Sequence, residues 1–199
     1  RQVIPRAVDE YAGHLAAFPK ENQAAKLMNP VWHIHEGSPP EADLPISFAL
    51  LLNLASASNS EDQSVLWGFI RRYAPEATPE SQPLLDELVG YAIRYFHDFV
   101  KPSKQYRAPT EQERAAFEDL DRRLVALPND VLAEEIQNEV DAVGKEHSFE
   151  PLRAWFQALY QVLLGQSQGP RFGSFVQLYG IDNTRALISK ALSGELAGA

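Results

Sequence analysis

At 199 residues, with 45% hydrophobic and 10% aromatic side chains, the chain can bury one large core or two small ones and is excluded from the disordered class. It has no cysteine, which rules out disulfides and thiolate metal sites and fits a reducing compartment, here taken as the cytoplasm. A net charge of −9 argues against indiscriminate binding to a polyanion.

No apolar run approaches the roughly 20 residues needed to cross a bilayer, so no membrane association is expected. The opening "RQVIPRAVDEYAGH" is charged and amphipathic rather than a leader, and a start at Arg1 reads as a piece of a longer polypeptide. Val3, Ala7, Val8, Tyr11 and Leu15 recur at helical spacing, with Pro5 in the first turn. A proline-bounded loop is predicted over 29–45. The next stretch, "ISFALLLNLASAS" (46–58), is apolar nearly all round and predicts a buried helix. Ser60 is placed to cap "EDQSVLWGFIRRYA", with acids in its first turn and arginines in its last, as the helix dipole prefers. A long helix is predicted over 81–100, ending before Pro102.

Residues 101–109, "KPSKQYRAP", lack apolar periodicity and hold two prolines, which makes them the linker. "TEQE" at 110–113 is a capping box that opens the next helix. Asn129 or Asp130 is expected to cap a helix over 131–144, and another runs from Pro151 to Gly165. Two short helices, "RFGSFVQLY" and "NTRALISKAL", close the chain around residues 180–182. The fold class is therefore all-α, in two packed helical subdomains, 1–105 and 110–199. Charge is uneven along them: residues 110–150 carry twelve acidic and four basic side chains, while 94–107 hold Arg94, Lys101, Lys104 and Arg107 against Asp98.

The stretch "NPVWHIHEGSPP" asks whether His33 and His35 hold a metal. Two apart, they fall on different faces of a helix, and a zinc site needs one or two further ligands. A phosphate-binding HIGH-type role lacks the strand and βαβ unit that it requires. The reading the residues favour is that Trp32 and Ile34 plug the core while the imidazoles satisfy loop carbonyls. Trp67, Trp155 and Phe156 read as core. Glu134, Glu135 and Glu139 read as a solvated helix face, and Asp119, Asp121, Arg122 and Arg123 as surface ion pairs of small value.

Several blocks together, "VIPRAVDEY", "HIHEGSPPEADLPISFALLLNLASASN", "LWGFIRRYAPE", "PLLDELVGYAIRYFHDFVKPSKQYRAPTEQE" and "LLGQSQGPRFGSFVQLYGIDNTRALI", resemble the C-terminal part of class I lysyl-tRNA synthetases. The resemblance implies an enzyme that charges tRNA(Lys) with lysine using ATP and Mg²⁺ on an N-terminal catalytic domain of the same chain. It also implies that the present residues include no catalytic or cofactor-binding group. Their share would be tRNA: a first helical group near the stem, then a helical cage for the anticodon; a monomer is the default expectation. The tail is also similar to class I glutamyl-tRNA synthetases, which commonly have Arg where Tyr160 stands.

That resemblance places the anticodon contacts at Tyr160, Gln166, Gln168, Pro170, Arg171 and Phe172. The chemistry fits: amides serve the donor–acceptor edges of splayed bases, aromatics stack, and a helix opening at 171–172 offers free N–H groups to a phosphate. Arg71, Arg72, Lys101, Lys104 and Arg107 are the candidates for backbone phosphates, which position RNA without reading sequence. Two other classes stay open at this point: a metal-dependent hydrolase built on His33 and His35, and a helical protein-interaction module.

Overall fold

The computed structural model describes residues 3–42, 44–128 and 130–198. Among them are eleven α-helices and no strand: α1 (Val3–Ala17), α2 (Gln23–Met28), α3 (Pro30–Ile34), α4 (Phe48–Ser58), α5 (Gln63–Tyr73), α6 (Pro83–Tyr95), α7 (Glu111–Ala126), α8 (Ala133–Glu146), α9 (Arg153–Leu163), α10 (Phe172–Tyr179) and α11 (Ile181–Ser193). The all-α expectation holds.

The central helix is α4. Ser47 caps it by accepting from the Leu50 N–H at 3.2 Å. A second cap arrives from far away in sequence, because the Asp9 carboxylate accepts from the N–H groups of Phe48 (2.6 Å) and Ala49 (3.2 Å). Two orphan donors of the helix start are thereby satisfied, and α1 is anchored across α4. Leu51, Leu52, Leu54 and Ala55 of α4 are buried, as its unbroken apolar run demands. The short helix α10 packs on α4 and α5 as well as on α8 and α11. Apolar side chains from before and after the linker thus join in a single buried cluster.

Several expectations are corrected. The predicted loop over 29–45 begins in helix, because Asn22 and Asn29 each cap a short helix with their side-chain oxygen. Asn29 is buried and also donates to the His14 carbonyl (3.1 Å) and Glu21 (3.0 Å), holding α1 to α3. Val31 fills the core there; Ile34 does not, being 61% exposed. Trp32 is half-buried, stacked on Phe18. Ser60 does not cap α5. Asp62 does, accepting from Ser64 N–H at 2.8 Å, so no acid lies in the first turn. The long helix over 81–100 loses α geometry at Phe96, where it widens into a π-helical turn (Phe96–Val100) and then tightens into a 3₁₀ turn (Lys101–Ser103). Helix α8 starts at Ala133 with Leu132 as its cap residue, and Glu135 accepts the Leu132 N–H at 3.1 Å. The Asn129 cap falls outside the described residues. Only Gly180 separates α10 from α11.

Other readings survive in whole or in part. The Thr110–Glu113 capping box closes in both directions. Trp155 is fully buried against Phe117 and Phe149 and donates to the Val140 carbonyl at 2.9 Å, so its polar edge is satisfied. Trp67 is buried with its indole N–H on Asp86 (2.8 Å), while Phe156 is only half-buried. The acidic face is less solvated than expected, because Arg123 ties Asp119, Glu139 and Glu146 together between α7 and α8.

Two glycines give opposite stability tests. A Cβ at Gly173 would meet the Gln137 backbone nitrogen at 2.9 Å and overlap the Ala133 carbonyl, both immovable parts of α8. Gly173→Ala is expected to lower unfolding stability by about 1–3 kcal/mol in urea titration, the usual cost of overpacking. Gly13 sits inside α1 with open space around it. Gly13→Ala is expected to raise stability by about 0.5–1 kcal/mol in the same measurement.

Candidate nucleic-acid interface

The residues that follow α6 form the wall of a cleft. Lys104 turns inward and donates to the Ser56 carbonyl at the end of α4 (2.7 Å) and to the Tyr106 hydroxyl (2.9 Å). Its ammonium also lies over the Phe96 and Tyr106 rings, 5.2 and 5.3 Å from their centroids. Burial pulls its pKa down to about 8, with the charge of Lys101 acting in the same direction. One residue on, the Gln105 N–H donates to the Gly165 carbonyl at 2.9 Å. Arg107 grips Glu113 with two 2.6 Å hydrogen bonds and donates to Gln161 through Nε (2.8 Å). Burial pushes the Glu113 carboxyl up, but the Arg107 hydrogen bonds and the Thr110 N–H outweigh it, and the net shift is downward. The segment is thus pinned to α4, α7 and α9.

Opposite this wall lies the loop after α9. Gly165 adopts φ +65°, a left-handed helix ending that any Cβ would strain, and a Cβ would also crowd Gln105 N at 3.2 Å. Gln166 folds back to donate to the Ser56 hydroxyl at 2.7 Å. Gly169 lies directly on the Tyr160 ring and the Asn53 amide, and only its missing side chain allows that approach. The Tyr160 hydroxyl donates to the Pro170 carbonyl. Between this loop, the linker, α1 and α4 opens a cleft of about 1120 Å³.

The structure brings Gln166, Gln168, Pro170 and Arg107 together around that cleft. Gln168 is exposed, whereas Gln166 is half-buried and its amide donor is committed to Ser56. Tyr160 and Phe172 are core residues in edge-to-face contact, 6.0 Å between centroids, and burial pushes the Tyr160 phenol upward. Neither presents an open ring face for stacking. Arg171 is exposed beside Pro170, with no ion pair among the described residues. The expectation of free N–H groups at the start of α10 is corrected in part: the Gly173 N–H donates to Gln137 of α8 at 2.9 Å.

The remaining cations lie away from the cleft. Lys101 pairs with Glu61 at 2.6 Å. Arg71 and Arg72 are exposed in the last turn of α5, where Arg72 lies 5.6 Å from the Phe69 ring centroid. His33 and His35 do not converge: His33 Nε2 contacts the Leu27 carbonyl at 2.8 Å and His35 Nε2 the Tyr11 hydroxyl at 2.8 Å. Among the described residues no three His, Asp or Glu side chains are grouped to hold a metal. Nor is any helix long and apolar enough to cross a membrane.

Sequence reasoning missed Asn53, Gln161 and Tyr106, all of which line the cleft. One signal was available for Asn53. It is the single amide in a largely apolar helix, and a buried polar side chain is more informative than a buried apolar one.

Against known proteins, the chain is 55% identical over 194 residues to the lysine–tRNA ligase of Roseobacter denitrificans, an alignment that covers 98% of this chain and 37% of that protein. The lysine–tRNA ligases of Rickettsia bellii and Rickettsia felis are 46% and 45% identical over 192 residues, each covering 96% of this chain and 37% of the relative. The chain therefore spans little more than a third of the length of these relatives. No protein-family model matches it, and no solved structure matches it significantly. Over nearly all of its residues this chain is homologous to one region of lysine–tRNA ligases.

Two titrations test the pinned wall. The Lys104 side-chain ¹³C resonance is expected to titrate with a midpoint near 8 instead of the ordinary 10.5. Between those values the unfolded chain holds the proton and the folded chain does not, so this group makes stability rise with pH. Glu113→Gln tests the same direction in the acid range. A lowered carboxyl pKa contributes stability that is complete above 4.5 and is lost as pH falls through the folded value. The urea-unfolding gap between wild type and Glu113→Gln is expected to be full at neutral pH and to close in acid.

Proposed function

We propose that this chain is the carboxy-terminal tRNA-binding part of a lysine–tRNA ligase of the class I type, and that the cleft between α4 and the loop after α9 receives the anticodon. The observation that carries the reading is the 55% identity to a lysine–tRNA ligase across 98% of the chain. The clustering of Gln161, Gln166 and Gln168 on one cleft supports the placement, since primary amides match the paired donors and acceptors of unstacked bases. Arg171 stands beside that loop to meet a phosphate, and Arg71 and Arg72 supply a second cationic point at the end of α5. Tyr160 and Phe172 act from below, fixing the Gly169–Pro170 turn. Lys104 and Arg107 are engaged within the protein and shape the wall, and Lys101 is paired with Glu61 away from it.

In this reading the whole enzyme activates lysine with ATP and Mg²⁺ and transfers it to tRNA(Lys). In the same reading ATP, Mg²⁺ and the chemical step belong to the remainder of the longer polypeptide, which is what the family resemblance implies. What these helices contribute is recognition. Their overall charge of −9 makes the interaction depend on local cations and on base contacts.

The test is a filter-binding titration of the 199-residue chain with lysine tRNA and an unrelated tRNA at matched salt. Lysine tRNA is expected to bind more tightly, with affinity falling steeply between about 50 and about 200 mM salt. Arg171→Ala is expected to weaken both RNAs alike and to reduce the salt slope by about one. Gln168→Ala is expected to weaken the lysine tRNA selectively. Equal affinity for the two tRNAs would overturn the reading.

A further inference from the structure

Among the described residues one buried side-chain polar atom has no hydrogen-bond partner, the amide nitrogen of Asn53. Buried amides are almost always satisfied, and one that is not calls for an explanation. Asn53 is 3% exposed, sits on the α4 face that lines the cleft, and lies beneath the Gly169 turn, 2.7 Å from where a Cβ of residue 169 would be. Its neighbours Leu52 and Leu54 are buried apolar residues, and a leucine in its place would bury more surface without an orphan donor.

We propose that Asn53 is a base-reading residue, whose amide donates to the carbonyl oxygen of an unstacked nucleobase lodged in the cleft. This rests on the reading of the chain as a tRNA-binding part and adds a specificity determinant from the first half of the chain. Two features select an uncharged ligand. The charged groups that line the cleft are already engaged: Arg6 with Glu10 at 2.7 Å, Arg107 with Glu113, and the Asp9 carboxylate with the N–H groups that start α4. The remaining polar lining includes the amides of Gln161 and Gln168 and the hydroxyl of Ser103. A primary amide carries a donor and an acceptor side by side. The unpartnered donor of Asn53 calls for an acceptor on the base, which a uracil carbonyl supplies beside its N3–H; adenine's ring nitrogen and amino group can also meet an amide, so the choice of uridine rests on the lysine-tRNA reading.

The test compares two anticodon stem-loop RNAs of lysine tRNA by fluorescence anisotropy, one natural and uridine-rich, the other with its loop uridines replaced by adenosines. Wild type is expected to prefer the uridine loop. Asn53→Ala and Asn53→Asp, the second replacing the donor by an acceptor of equal size, are each expected to lose about tenfold affinity for it. Binding of the adenosine loop should change little. Asn53→Ala removes an orphan donor and is expected to melt no lower than wild type, so it carries the test if the aspartate variant misfolds. A ¹⁵N spectrum of wild type should show the Asn53 side-chain amide shifting with the uridine loop only. Unchanged uridine-loop affinity in Asn53→Ala, with wild type binding, overturns this assignment alone. Failure of wild type to bind either RNA overturns the tRNA-binding reading along with it.

Discussion

Everything about the cleft depends on an extended segment being held at three points. Residues 104–107 have no helix of their own to stiffen them. Their shape comes from an ammonium on the last turn of α4, a backbone bond to Gly165, and a guanidinium clamped by Glu113 and Gln161. The two-pronged Arg107–Glu113 pair is the strongest of these, because both groups are charged and the geometry is bidentate. Ser56 joins the opposing wall to the same frame, giving its carbonyl to Lys104 and its hydroxyl to Gln166. A loop and a linker without regular structure thus acquire a fixed separation, which a recognition site needs if binding is not to be spent on ordering it.

The fold was legible where local chemistry decides it. The capping box at Thr110 and the glycine that ends α9 each act within four residues of chain, and each does what its residue type implies. The short helices α2 and α3 were hidden because the prolines and histidines of that stretch suggested loop, although Asn22 and Asn29 are good cap residues. What could not be read were bonds made across the fold. The Asp9 cap on α4 spans 39 positions, and the Gln137 contact to α10 spans 36. No spacing rule anticipates either.

The site divides along the same line. The loop at 166–170, to which a family resemblance and amide chemistry both point, lines the cleft. Tyr160 and Phe172 flank that loop in sequence, but their depth is a product of packing: they lie under the loop and not on it. Lys104 shows the reverse error. A lysine in a linker reads as a solvated cation, yet two aromatic rings and a helix terminus draw this one inward. Asn53 escaped notice because a hydrophobic neighbourhood masks a single amide until its partners are counted.

The contact between Gln137 and the Gly173 N–H has one more effect. A helix start is ordinarily a fixed electropositive fixture, built from backbone and therefore beyond the reach of substitution. Here part of that fixture is neutralised from within by a neighbouring helix, and the adjacent Arg171 stands out in solvent. Attraction for an anion at this corner is thereby transferred to a single side chain, which can be exchanged without disturbing the α8–α10 seam.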